Sequence, residues 1–454
     1  MAEFLSSFSG WLWGNLLYLL LGGGFFFAVF SRFSPFRYLG HGLALLLGRE
    51  VEQDAPGEVS HFRALCSALS GTVGMGNVAG VAVAITQGGP GAIFWMWVCA
   101  LLGMATKFYT CSLAVMYRGK DENGVEQGGP MYFIREGLGE KWKPLAIFFA
   151  ACGMFGCLPL FQSNQLTQIV NTMFFEPQGW FVGSDNTAQV GNALFGLLLA
   201  VLVGVVVVGG IKRIGAFAAR LVPGMVVLYG GTSLVIILLH ADQIFPSLSL
   251  ILSDAFTGQA VAGGALGMVI VTGVRRAAFS NEAGMGTEAM AHGAAKTKQP
   301  IREGVVAMWG PVIDTLIMCT LTALVLMVTD VWRSGEGDGV LLTTQAFEQA
   351  LPGVGPYLLL AGVLCLSFSS MLGFSYYVVK CGCFLFGQKA RLPVLGFYLL
   401  TIVVSAVVKM DVIINFLDIA FGLMAIPTIL SSMLLAPRVN EAARKYFAGL
   451  KKST

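Results

Sequence analysis

Charge is the scarcest resource in this sequence: only 12% of its 454 residues are Asp, Glu, Lys or Arg. A soluble domain carries about twice that share. Histidine is rarer still, with four in the whole chain, His41, His61, His240 and His292. None belongs to an H-E-x-x-H pair, and no serine–histidine couple sits at matched depth, which argues against a zinc hydrolase or an intramembrane serine enzyme. No glycine-rich loop has Walker spacing; "GGIKRIG" at 209–215 does not, so a gradient is the expected energy source unless another subunit supplies ATP coupling. The net charge of +3 and the lack of a basic tract argue against nucleic-acid binding. The nine cysteines form no zinc-type double pair, and Cys381-x-Cys383 stands alone, so they read as small buried apolar side chains. The opening "MAEFLSSFSG" has an acid and no base, unlike a cleaved signal peptide, so a retained helix is expected at 11–30.

What the chain has is apolar length. Hydrophobic residues make up 56% of it, and the mean hydropathy is +0.75. The signal comes in runs of about 20 residues, the length of a membrane helix, and not as alternating strands of a barrel. The expected fold is an all-α polytopic membrane protein with eleven spans, at 11–30, 63–87, 91–117, 144–172, 190–211, 217–240, 260–292, 304–329, 356–386, 392–408 and 412–436. Lysine and arginine test that count. With residues 31–62 cytoplasmic, 22 of the 28 basic residues fall on cytoplasmic segments, against two, Arg333 and Lys409, outside. The positive-inside rule then puts the N-terminus outside and the C-terminus in the cytoplasm.

Two spans hold glycine-rich interruptions. The first is "GTVGMGNVAG" at 71–80, with Thr72 and Asn77 among four glycines. The second is "TGVRRAAFSNEAGMG" at 272–286. Bare backbone survives in lipid only where it lines a cavity or binds something. A broken helix frees carbonyls that suit a cation and N–H groups that suit a carboxylate. The breaks lie five spans apart, so they enter from opposite sides. The chain thus divides into an extra N-terminal helix and loop (1–62), a first five-helix repeat (63–240), a second, inverted repeat (260–436) and a cytoplasmic tail (437–454). That is the plan of an inverted-repeat transporter with a midplane site.

"GTVGMGNVAGVAVAI", "GGPGAIFWMWVCALLGMATKF", "GGIKRIG", "FSNEAGMG" and "VIDTLIMCTLTALV" resemble the alanine or glycine:cation symporter family, the sodium:alanine symporters, over nearly all of residues 60–400. "VGMGN" at 73–77 is also similar to the first broken helix of the sodium-coupled neurotransmitter transporters. The resemblance implies a leucine-transporter-like fold in a bacterial inner (plasma) membrane. It implies sodium-driven import of a small neutral amino acid such as alanine or glycine, with the lipid bilayer as surroundings and no obligate protein partner. For the substrate it implies Met75 and Gly76 N–H groups at the carboxylate, with Thr72 and Asn77 beside them. Acceptors for the amino group are implied around Thr272 and Gly273, and Gln162 in "LPLFQSNQLTQ" at the pocket wall. For sodium it implies the carbonyls of Ser70, Val73 and Leu366 with Ser369 and Ser370, hard oxygen donors for a hard cation. Read without the resemblance, the glutamines serve equally to join helices, and the serines to bond back onto their own helix.

Three positions depart from the family's usual residues: Met75 for threonine, Phe374 for tryptophan, and Tyr109-Thr110 for alanine-glutamate. The smaller ring of Phe374 leaves room for side chains larger than methyl, such as serine or glutamine. Lys107, Arg275, Arg276, Glu282, Asp314, Lys380 and Asp418 fall inside spans, where lone charges are costly. Lys107 or Arg275 is the expected partner of Glu282, as a structural ion pair or as a proton relay. Proton coupling on the same fold is the alternative mechanism, and an intramembrane enzyme or a channel a remote one.

Overall fold

The computed structural model describes residues 2–48, 55–181, 185–256, 265–333, 339–408 and 410–453. Its long apolar runs form helices because hydrocarbon offers the backbone no partner except itself. The main helices of the first half are α1 (Ala2–Phe30), α2 (His61–Thr72), α3 (Val81–Gly88), α4 (Gly91–Met116), α5 (Lys143–Gly156), α6 (Leu160–Val170), α7 (Asp185–Val207), α8 (Gly210–Leu239) and α9 (Ile244–Asp254). Those of the second half are α10 (Ala265–Asn281), α11 (Thr287–His292), α12 (Pro300–Val328), α13 (Gly339–Ala350), α14 (Gly355–Phe386), α15 (Arg391–Val407) and α16 (Met410–Ser453). Nine described helices are long and apolar enough to cross a membrane, and ten if the bent pair α2–α3 is one span. The expected span at 260–292 is divided between α10 and α11, and its first residues, 260–264, lie outside the described set. Residues 437–453, expected as a tail, continue α16 without a break.

The broken helices occupy the centre. α2 packs against α8, α14 and α11, and α10 lies along α4. α1 runs beside α16, where the Trp13 indole donates to the Asp418 carbonyl at 2.9 Å. At its far end α16 stacks Phe447 on Tyr38 with centroids 3.9 Å apart.

On the face rich in basic residues, the start of α2 and the end of α11 converge. Glu58 and Val59 N–H both donate to the Ala294 carbonyl, at 2.7 and 3.1 Å, and Lys296 N–H returns to Val59 at 2.7 Å. His61 and His292 both bond the buried carboxylate of Glu303, the latter at 2.5 Å. Arg118 satisfies the carbonyls of Gly293 at 2.9 Å and Pro56 at 3.1 Å. Six of the nine cysteines are buried; Cys152, Cys365 and Cys383 are partly so.

Candidate functional site

The first break begins where α2 ends. Val73 turns to an extended conformation (φ −75°, ψ 91°), and α3 leaves at 54° to α2 through a wide turn over Gly76–Gly80. A side chain holds this opening. In a continuous helix the Gly74 N–H would close on the Ser70 carbonyl; instead it donates to Asn77 Oδ1 at 2.8 Å. The Asn77 N–H, which would close on Val73, goes to the Gly74 carbonyl at 3.1 Å. Ser70 and Val73 therefore lose the two helical donors that would occupy their carbonyls. These are the oxygens that the family resemblance implies for sodium.

The second break lies between α10 and α11. Glu282 (φ 57°), Gly284 (φ 91°) and Gly286 (φ 84°) all take left-handed backbone, where glycine is the natural residue. Asn281 Oδ1 caps the end of α10 by accepting from the Ala283 N–H at 2.9 Å. Thr272 and Gly273 are not in this opening. They sit inside α10, where Thr272 packs on Gly88. A Cβ on Gly273 would come within 2.8 Å of the Trp95 Cβ. Gly273 thus serves close packing of α10 on α4, and its neighbourhood supplies no freed carbonyl for an amino group.

One buried carboxylate joins the breaks. Asn77 Nδ2 donates to Asp314 Oδ1 at 2.7 Å, to the Asp314 carbonyl at 3.0 Å and to Ser280 Oγ at 3.2 Å. Ser280 and Thr315 hydroxyls donate to Asp314 Oδ2 at 2.9 and 2.7 Å, and Asn281 Nδ2 to Thr315 Oγ1 at 3.0 Å. Asp314 is aimed inward by a wide helical turn over Val312–Cys319 in α12. All five side chains are fully buried. Such a closed network fixes the relative position of α2–α3, α10 and α12.

The sodium candidates come together. Ser369 and Ser370 hydroxyls donate to the Leu366 carbonyl at 2.9 and 3.0 Å, so they do back-bond to α14. The same turn faces α2: a methyl on Gly74 would overlap the Ser370 hydroxyl, and one on Gly373 would lie 2.6 Å from Ser70 Oγ. Gly74 and Gly373 let the end of α2 sit directly on α14, with Ser70, Val73, Leu366, Ser369 and Ser370 buried around the contact.

Beside this lies an aromatic enclosure. Phe279 meets Phe161 and Phe421 edge-on at 5.4 and 5.5 Å, and Phe374 lies 6.3 Å from Phe421. Gly71 faces the Phe374 and Tyr377 rings, and Gly76 faces Phe279 and Ser280. Met75 is fully buried in the same turn. Gln162 follows Phe161, and among the described residues its Oε1 has no hydrogen-bond partner; neither has Thr72 Oγ1 or the Tyr377 hydroxyl. Buried polar atoms without partners are costly, and a polar ligand would satisfy them. Phe161, Phe279, Phe421 and Tyr377 escape sequence reasoning, because aromatics are abundant throughout; only Phe279, inside "FSNEAGMG", carried a local signal.

The expected ion pair of Glu282 is differently arranged. Arg275 engages Asp418 and donates to Ser9 Oγ at 2.6 Å, while Arg276 bonds Asp418 Oδ2 at 2.7 Å. Glu282 accepts from the Thr287 hydroxyl across the second break. Lys107 lies against Gly310. Among the described residues no ion pair joins Glu282 to Lys107 or Arg275. The break leaves Glu282 a hydroxyl in place of a cation, and Asp418 on α16 draws both arginines.

The whole chain, residues 1–454, matches the sodium:alanine symporter family. It is 37% identical over 452 residues to the sodium/alanine symporter AgcS of Methanococcus maripaludis, covering 97% of this chain and 96% of that one. It is 32% identical over 437 residues to the probable sodium/glutamine symporter GlnT of Bacillus subtilis, covering 96% and 88%. Among solved structures it is similar to MhsT in complex with L-phenylalanine, with a TM-score of 0.60 and 13% identity, over 84% of this chain and 89% of that one. That likeness concerns the fold, which is the leucine-transporter type. These are transporters and not enzymes, and the chain belongs to the sodium:alanine symporter family.

Proposed function

We propose that the protein imports small neutral amino acids across a bacterial plasma membrane, driven by sodium, through alternating access around the two breaks. The reading includes eleven spans arranged as one extra helix plus an inverted five-plus-five repeat, with the N-terminus outside and the basic face in the cytoplasm. The observation that carries it is the capture of the Gly74 N–H by Asn77, which leaves the Ser70 carbonyl open beside Ser369 and Ser370. A cation at that contact would draw α2 onto α14. The substrate carboxylate would meet the N–H groups of Met75 and Gly76, and its side chain the ring of Phe374. With Thr272 and Gly273 inside α10, the ammonium group falls instead to acceptors at the 280–282 end of α10. Alanine and glycine are the first substrates to test, with serine and glutamine next because of Phe374. Uptake of labelled alanine and glutamine into proteoliposomes, with and without an inward sodium gradient, is the direct test. Uptake that persists when choline replaces sodium at fixed pH would favour proton coupling.

A further inference from the structure

A cavity of about 300 Å³ lies on the basic face, away from the two breaks. Its walls come from α14, the turn between α7 and α8, and the 119–127 hairpin. α14 is also the helix that carries Ser369, Ser370 and Phe374, and the cavity wall begins at the next residue, Ser375. Lys380 lines this cavity and is only 5% exposed. Its ammonium donates to the Tyr376 hydroxyl at 2.8 Å and to the Met290 carbonyl at 3.2 Å. Both partners are neutral. An ammonium has three N–H donors, so among the described residues one remains for a ligand. Neither direct partner supplies the counter-charge that normally offsets an ammonium's desolvation, and among the described residues Lys380 makes no ion pair. Of the two carboxylates that also line the cavity, Asp121 is already engaged by the Asn123 and Val125 N–H groups and the Gln127 and Gln388 amides. Glu58 is therefore the acceptor for a positive group, and Lys212 and Arg391 add positive charge to the wall.

We infer that this cavity is a second amino acid site, in which the Lys380 ammonium receives the α-carboxylate of the substrate between the central site and the cytoplasm. The inference rests on the transport reading above. A carboxylate there would accept a charge-assisted bond from the free N–H, and the Glu58 carboxylate would take the ammonium end. A zwitterion fits both signs; a simple carboxylic acid fits one.

Equilibrium binding of labelled alanine to the purified full-length chain tests this. Wild type is expected to bind two alanines per chain and Lys380→Met one. In oriented vesicles the KM measured from the basic face should rise roughly tenfold in Lys380→Met, the loss of one charge-assisted bond, with the KM from the other face unchanged. A single bound alanine in wild type, unaltered by Lys380→Met, overturns the inference and leaves the transport reading standing. No bound alanine at all overturns both. Displacement of the second alanine by acetate as readily as by glycine makes the site a general carboxylate site and also refutes the assignment. If Lys380→Met does not fold, Lys380→Arg decides: two alanines uphold the site, one refutes it.

Discussion

Replacing Asn77 by alanine removes the latch of the first break and gives the sharpest test of the central site. The Asn77 amide makes a bond to the Asp314 carboxylate at 2.7 Å and accepts the Gly74 N–H at 2.8 Å. The first is a hydrogen bond to a charged group, of about 1.5–3 kcal/mol, and the second an ordinary one of about 1 kcal/mol. Without Oδ1 the Gly74 N–H is released to close on Ser70, continuing α2. A cation then has to displace that new bond before it reaches the carbonyl. Competition worth about 1–2 kcal/mol weakens sodium roughly five- to thirty-fold. Initial rates of alanine uptake against sodium concentration, in proteoliposomes of equal protein content, would show the half-saturation moving upward by that factor. A half-saturation equal to wild type, with uptake retained, would refute the idea that Asn77 keeps the carbonyls of Ser70 and Val73 free.

Other outcomes follow from the same contacts. Phe374→Trp, which enlarges the ring facing Gly71, should abolish competition by glutamine and serine while alanine and glycine still compete; inhibition by alanine and glycine alone in wild type would remove the premise. Gly74→Ala forces a methyl into the Ser370 hydroxyl and should halt sodium-dependent uptake, with the protein still reaching the membrane, as read by uptake and surface labelling. Asp418→Asn strips the only carboxylate that Arg275 and Arg276 share among the described residues, and breaking a buried pair of this kind destabilises by about 3–5 kcal/mol; a fall in melting temperature measures it. Glu282→Gln keeps an acceptor for Thr287, so the external-pH profile of uptake should stay as in wild type; a flattened profile would restore the proton-relay reading.

The sequence is legible where a break needs residues that helices avoid. Gly71, Gly74 and Gly76 beside Asn77 announce the first opening because glycines cluster there with a hydrogen-bonding side chain, and Gly284 and Gly286 announce the second because left-handed backbone favours glycine. Ser369 and Ser370 were legible as polar residues in an apolar helix. Thr272 and Gly273 misled for a physical reason: glycine inside a membrane helix serves tight packing as well as unwinding, and composition does not separate the two. The pairing of Arg275 and Arg276 with Asp418 spans more than a hundred residues of chain, so local spacing held no trace of it. The wide turn that aims Asp314 inward was equally hidden, since a single extra residue in a helical turn changes no composition.

α16 is 44 residues long, a contour of about 66 Å, roughly twice the hydrocarbon depth of a bilayer. Asp418 and Phe421 stand near one end, and Tyr446 and Phe447, stacked by Tyr38, near the other. The helix is in effect a strut pinned along its outer half as well, where Asn440 donates to the Phe30 carbonyl and Arg438 to the Tyr117 hydroxyl. A spin label on its last turns would therefore report whether the Asp418 end moves together with the Tyr38 contact or bends away from it at Pro427 or Pro437.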